Sequence, residues 1–376
     1  MPWQHKFNSV FGTGLFGGIT AGDWCRTLRA NGFRVSPRYA PRCAAISACS
    51  LANSVSGQIE EWWYGSEIAQ QQVPAPLFIL GHWRSGTTHL HNLIAHDTRF
   101  AYPNLYQVLC PHTFLTSETV GSRLLAAITP ETRFGIDNVK MGPDIPYEDE
   151  FAIAAMTLVS PYVSMSFPGR QQFYDRFLTL RDASAAELRL WQQALTTFVA
   201  KLTWKYRRPL VLKSPPHTCR IRLLLEQYPS AKFVHIRRNP FDVYRSTRKM
   251  VAGALIYWQL QPAECVDWDE RIVRQHSEMY DVYFEERQLI PDGHLHEVTF
   301  EELDADPVGA VRGIYEGLRL PDFEAFRPNL VQYVDSLRGY QKNPAAELPL
   351  ATRQRLAQEW RRCFEEWGYS AVGTGE

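Results

Sequence analysis

Net charge is what this chain most plainly lacks. Its 40 lysines and arginines are matched by 40 aspartates and glutamates over 376 residues, so no overall basic field exists to gather nucleic acid. Cysteine is sparse and odd in number, seven in all with no C-x-x-C pair. That argues against a disulfide framework and a structural zinc site, and fits a reducing compartment. No H-E-x-x-H occurs, and His89 and His91 stand on different faces of an expected helix. No metal is therefore expected. No run reaches the roughly 18–20 apolar residues that span a bilayer; residues 43–55 come nearest and are short and serine-rich. No basic leader precedes a long apolar stretch at the N-terminus. The expectation is a cytoplasmic protein, attached at most peripherally to the inner face of a membrane. No internal repeat or low-complexity segment is present.

What is there begins at residues 77–90, LFILGHWRSGTTHL. Leu77, Phe78, Ile79 and Leu80 have the length and bounding of a buried parallel strand. Gly81 opens a short polar loop that closes at Gly86, and Leu90, Leu93 and Ile94 supply the apolar face of a following helix. Strand, glycine-bounded loop and helix form the layout of a phosphate cradle, in which backbone N–H groups and a helix N-terminus converge on an anion. The frame Gly81-x4-Gly86 fits a P-loop, but Thr87 stands where a lysine is expected. A fixed cation sits inside the loop instead, at Arg84.

Elsewhere short apolar strands alternate with helices. Residues 210–212 and 232–236 read as buried strands and 295–300 as a further strand. Helices are expected at 24–34, 43–64, 184–205, 221–227, from 241 onward, and at 269–289, 307–318 and 351–367. Residues 97–147 have weak periodicity and many prolines and glycines, and read as irregular substrate loops. The pattern predicts a P-loop-like α/β fold: a parallel sheet with helices on both faces and helical N- and C-terminal additions. Residues 1–74 would form a helical extension, and 75–376 the α/β domain.

In open α/β sheets, ligands sit at the carboxyl ends of the strands. Arg84, Lys213 and Arg238 follow three such ends, and Ser246 lies on the next helix. A lone strand-end cation is usually solvated. Three of them beside a glycine-bounded loop point to a ligand with two separate anionic ends. An ATPase or kinase would also need a strand ending in aspartate to hold Mg²⁺, but KFVHI runs into Arg237-Arg238. Protein cations are expected to take the place of a metal.

Together RSGTT, KSPPH and RRNPFDVYRST, each after a strand, resemble the sulfotransferases that use 3′-phosphoadenosine 5′-phosphosulfate (PAPS). The resemblance is to the bacterial branch with a GHWRSGTT loop and a PxEDE-like motif, here Pro146-Tyr-Glu-Asp-Glu150, and spans roughly residues 75–345. It implies that Arg84, Ser85, Gly86, Thr87 and Thr88 bind the 5′-phosphosulfate, and that Arg238 and Ser246 bind the 3′-phosphate. Lys213 matches a lysine that approaches the sulfonyl group. There are departures. Pro215 stands where relatives place a histidine base, and His89 where they often stack adenine on a tryptophan. For the C-terminal clamp only Arg338-Gly-Tyr-Gln-Lys342 offers a loose substitute.

Sulfuryl transfer needs cations on the sulfonyl oxygens and a base for the acceptor's proton. Glu148 and Glu150 lead as the base, with His217 as runner-up. Their bland readings are a charged helix start, with Asp149 as cap, and a polar residue opening a helix. The acceptor would be a small-molecule hydroxyl, with Trp62 to Tyr64, Tyr162, Phe167, Tyr257 and Trp258 suiting a lipid-like alcohol. The bland reading of Trp62 to Tyr64 is helix packing. Rival readings are a P-loop-type kinase or phosphotransferase, and a non-catalytic nucleotide-binding protein.

Overall fold

The computed structural model describes residues 3–132, 139–338 and 347–371. Its chain divides into two compact units. The first comprises residues 3–76, 99–212 and 253–266, and the second residues 77–98, 213–252 and 267–371, as far as they are described.

The second unit holds the parallel sheet. Strand β1 (Leu77–Leu80) is buried at every position, as expected of an apolar run covered on both faces. A short strand β2 (Val211–Lys213) ends on Lys213, where the chain enters this unit. Strand β3 (Lys232–Arg237) lies parallel to β1, with Leu77 opposite Lys232 and Leu80 opposite His235. Strand β4 (Leu295–Thr299) continues the sheet in parallel, with Phe233 opposite Leu295 and Arg237 opposite Thr299. Phe78 and Phe233 stack at 5.7 Å between ring centroids. The parallel pairing brings the carboxyl ends of β1 and β3 to one edge, which places Gly81 beside Ile236.

The first unit is mainly helical. Its Ala185–Tyr206 helix starts in a reciprocal capping box: the Glu187 N–H donates to Ser184 Oγ, and Glu187 accepts from the Ser184 N–H. That helix buries Trp191, Leu195, Phe198 and Leu202. Phe198 meets Phe114 edge-on at 6.0 Å. Lys201 is buried and sits 2.5 Å from Glu60, so the charge taken out of water finds its counter-ion.

Several expectations need correction. Residues 97–147 are not irregular throughout: they contain a helix at Leu105–Leu109, capped by Asn104 and Gln107, and another at Phe114–Ile128. Tertiary packing of Phe114 outweighs the weak periodicity of that stretch. The expected helix at 351–367 is two, Leu350–Glu359 and Arg361–Trp367, broken at Trp360. A helix at Trp3–Phe11, and one at Phe323–Ser336 that contains Pro328, were not expected. The expected 43–64 helix is longer, Ala40–Ala69. Trp62 and Trp63 on it do not pack inward as the bland reading has it: Trp62 is 83% exposed and Trp63 54%. Tyr64 does pack, against Trp204 at 4.8 Å.

Candidate active site

The cradle is built from backbone constraints first. Gly81 has φ +143°, and a Cβ there would lie 2.6 Å from the Ile236 carbonyl oxygen. Gly86 has φ +105°, and its Cβ would lie 2.6 Å from Phe300 Cδ2. Both positions thus need glycine for conformation and for space. Between them Arg84 holds φ +70°, a left-handed conformation that costs a non-glycine residue energy and that clusters at functional sites. Ser85 closes the turn, its N–H and its hydroxyl both donating to the His82 carbonyl at 3.1 and 2.8 Å. The Gly81 N–H donates to Thr218 Oγ1 at 2.7 Å, and the His82 N–H to the Tyr280 hydroxyl at 3.2 Å. The helix Thr87–Ile94 then begins at Gly86.

The side chains converge on this loop. Arg84 Nε donates to Ser246 Oγ at 2.8 Å. An Arg238 guanidinium N–H donates to the Arg84 carbonyl at 3.3 Å, and its Cζ lies 4.2 Å from the Phe300 ring centroid. Asp242 is 3.8 Å from the same guanidinium. Lys213, only 2% exposed, points its Nζ to 3.4 Å from Thr88 Oγ1. Two cations and a hydroxyl from distant sequence positions therefore meet at one loop, with a third cation at the start of its helix. Such an array offers charge-assisted hydrogen bonds to two phosphate-like groups.

The proposed bases lie in different settings. Glu148, in the first unit, is half-buried and accepts a hydrogen bond from the Tyr162 hydroxyl. Around it Phe151 meets Tyr162 at 5.2 Å and Trp258 at 5.3 Å, with Tyr147 5.1 Å from Phe151. Glu150 is fully buried in the first turn of the Glu150–Thr157 helix. Asp149 occupies the cap position there without a capping hydrogen bond from its side chain. His217, in the second unit, is fully buried, with its ring edge-on to Phe78 at 5.3 Å. The other aromatics separate: Phe167 packs in the core on Phe16, and the Tyr257 hydroxyl hydrogen-bonds His5 at 2.6 Å. Of the loose clamp substitute, Gly339 to Lys342 lie outside the described residues.

Thr218, Tyr280 and Phe300 were missed by sequence reasoning. Thr218 directly follows KSPPH and was within reach of that motif; Phe300 lies 62 residues beyond Arg238, and no local pattern marks it. Among the described residues no group of three or more His, Cys, Asp and Glu could hold a metal ion.

Burial lowers the His82 imidazole to about 4, against a small opposing pull from the Trp83 carbonyl, and lowers neighbouring His276 well below its ordinary value. The two rings are 4.9 Å apart. An unfolded histidine titrates near 6.5, so on acidification the unfolded chain takes the proton first. The stability linked to His82 is complete above about pH 6.5 and is lost as the pH falls towards 4, by up to about 3 kcal/mol. Denaturant unfolding measured from pH 7 to 4 should show this slope, and His82→Asn should flatten it. An unchanged slope would mean that His82 is not held neutral.

The fold and the cradle define an α/β protein whose glycine-bounded loop gathers Arg84, Arg238 and Ser246, with Lys213 at Thr88. Comparison with known proteins gives the family. A model described as "Sulfotransferase family" matches residues 76–325, and the chain belongs to that family. It is 32% identical over 356 residues to the omega-hydroxy-beta-dihydromenaquinone-9 sulfotransferase Stf3 of Mycobacterium tuberculosis (strain CDC 1551 / Oshkosh), covering 94% of this chain and 91% of the relative. The Mycobacterium bovis protein of the same name matches equally. Among solved structures, sulfotransferase STF9 from Mycobacterium avium aligns with TM-score 0.66 at 17% identity, covering 92% of this chain and 96% of that one. STF1 from M. tuberculosis H37Rv aligns with TM-score 0.64 at 17% identity, covering 84% and 88%. At that identity the two structures speak to the fold, which agrees with the α/β expectation. The protein is a sulfotransferase, and PAPS is the donor used by its family. Among the described residues no helix is long and apolar enough to cross a membrane.

Proposed function

We propose that this sulfotransferase moves the sulfuryl group of PAPS to a hydroxyl on a lipid-like, apolar alcohol, without a metal ion. The observation that carries the reading is the meeting of Arg84, Ser246 and Arg238 at the glycine-bounded loop, with Lys213 at Thr88. In this reading the acceptor oxygen bonds to sulfur as the bond from sulfur to the 5′-phosphate oxygen breaks. Adenosine 3′,5′-bisphosphate leaves, and the acceptor's proton passes to a carboxylate, with Glu148 the leading candidate, then Glu150, and His217 behind them. Arg84 and the loop from Ser85 to Thr88 would hold the 5′-phosphosulfate. Arg238 and Ser246 would hold the 3′-phosphate, and Lys213 would carry charge on the sulfonyl oxygens.

The apolar acceptor is supported by the aromatic group of Phe151, Tyr162 and Trp258 beside Glu148. It is supported too by the likeness to Stf3, whose name gives a dihydromenaquinone as its substrate. A protein of this kind would work at the cytoplasmic side of a membrane that carries its acceptor.

Calorimetric titration with adenosine 3′,5′-bisphosphate in EDTA tests the donor site and should give saturable binding. Binding that appears only with Mg²⁺ would end the metal-free reading. Incubating the enzyme and PAPS with a detergent-dispersed isoprenoid quinol and, separately, with water-soluble glycans tests the acceptor. Sulfation of glycans alone would overturn the lipid reading.

A further inference from the structure

The first unit carries an apolar surface that the catalytic reading does not use. On the Ala40–Ala69 helix, Leu51, Val55, Ile59 and Trp62 are all exposed, and their spacing puts them within one quarter of the helix circumference. The same helix buries Arg42, Ile46, Ser50 and Glu60 on its opposite side. The Trp3–Phe11 helix repeats the arrangement, with Trp3, Phe7, Val10 and Phe11 exposed and His5 buried. The Phe114–Ile128 helix exposes Val120 and Leu124, one turn apart, and buries Phe114.

These three helices are neighbours. Arg42 donates to the Ser9 carbonyl at 2.6 Å, Asn8 to the Ile128 carbonyl at 2.7 Å, and the Thr116 N–H to Glu60 at 2.9 Å. These hydrogen bonds tie the helices together, and each helix turns apolar side chains to solvent. Scattered apolar residues on a surface need no explanation; eleven on three adjoining helices, Trp63 included, do.

Charge indicates what covers them. In a chain with no net charge, residues 3–59 hold Lys6, Arg26, Arg29, Arg34, Arg38 and Arg42 against Asp23 as the sole acidic side chain. Arg42 is buried, and Arg26 pairs with Asp23. Lys6, Arg29, Arg34 and Arg38 are exposed, as is Arg123 between Val120 and Leu124. Lys6 and Arg123 each flank an apolar stripe on their own helix. The acidic groups on these helices are Glu60, held by Lys201, Glu118, held by Lys205, and Glu61 and Glu67 towards the far end of the long helix.

Apolar and aromatic side chains with a lysine or arginine at their edge, as on the Trp3–Phe11 and Phe114–Ile128 helices, are the composition of a helix that lies in a membrane interface. A second copy of this chain would set the same basic border against itself, whereas an anionic bilayer attracts it. We infer that the exposed faces of the Trp3–Phe11, Ala40–Ala69 and Phe114–Ile128 helices dock this enzyme on an anionic lipid surface. The inference deepens the lipid-acceptor reading: a lipid-like alcohol would be met where it resides.

The test is flotation of the full chain with vesicles of phosphatidylcholine containing one-quarter phosphatidylglycerol, and with vesicles of phosphatidylcholine alone. The protein should float with the anionic vesicles and much less with the neutral ones. Lys6→Glu/Arg123→Glu should weaken the anionic binding by about tenfold or more, as should Leu51→Ser/Val55→Ser. All four positions are exposed, so both variants should keep their affinity for adenosine 3′,5′-bisphosphate, which serves as the folding check. Failure to float, or flotation unaltered in both variants, would overturn the docking surface. A concentration-dependent dimer that the Leu51/Val55 variant abolishes would assign the face to a second copy instead. Sulfation of the detergent-dispersed quinol does not depend on docking, so loss of flotation with that activity intact would leave the acceptor reading standing.

Discussion

Lys213→Met is expected to lower kcat by about 10²–10³-fold, the loss seen when one preorganised donor to a developing oxyanion is removed. Methionine keeps most of the volume of this buried side chain, so the fold should survive and the loss should report charge. Lys213 stands near Thr88, at the first turn of the cradle helix. Its proposed target is the sulfonyl group, which adenosine 3′,5′-bisphosphate lacks. The bisphosphate should therefore bind the Lys213 variant nearly as well as the wild type. Arg84→Ala should behave differently. Arg84 is tied to Ser246 through Nε and to Arg238 through its carbonyl, so its loss should lower turnover by a similar factor and weaken the bisphosphate as well. The alanine retains the Arg84 carbonyl and hence the Arg238 contact. Measuring kcat with PAPS alongside calorimetry with the bisphosphate separates the two. Near-normal turnover in both variants would remove these residues from the chemistry.

The contrast between what was legible and what was not follows the range of the interactions. Strand β1 and the cradle could be read because an apolar run, two glycines and a helical apolar face sit within the 18 consecutive residues 77–94. The requirement for Gly86 could be read too, but its main cause could not: the contact is Phe300, brought in by the strand β4 that precedes it. Arg238 and Ser246 were put together by the family resemblance alone, whereas the ring under Arg238 is again Phe300, which that resemblance did not name. The Phe114–Ile128 helix was missed because its buried face is narrow, with Phe114 the one buried side chain among its described residues. A helix that exposes valine and leucine has no clean periodicity to find. The same feature misled the reading of Trp62 and Trp63, since aromatic residues on a helix are more often buried than left in water.

Glu148→Gln is expected to reduce turnover by about 10²–10⁴-fold, the range for loss of a general base. Three carboxylates occupy the Tyr147–Phe151 segment, and their settings differ. Asp149 and Glu150 are fully buried, and Glu150 opens a helix, where a negative charge is favoured by the helix dipole. Glu150→Gln should therefore act mainly on stability. Glu148 keeps partial exposure, and its carboxylate accepts from the Tyr162 hydroxyl within the aromatic group of Phe151 and Trp258. It is the one of the three with both access and an apolar surround. A structural role for Glu148 would lower turnover on every acceptor alike. A base matters less as the acceptor hydroxyl becomes more acidic, so the deficit of Glu148→Gln should shrink with a nitrophenol and be largest with an aliphatic alcohol. An equal deficit on both, or a full deficit that appears only in His217→Asn, would move the proton to another group.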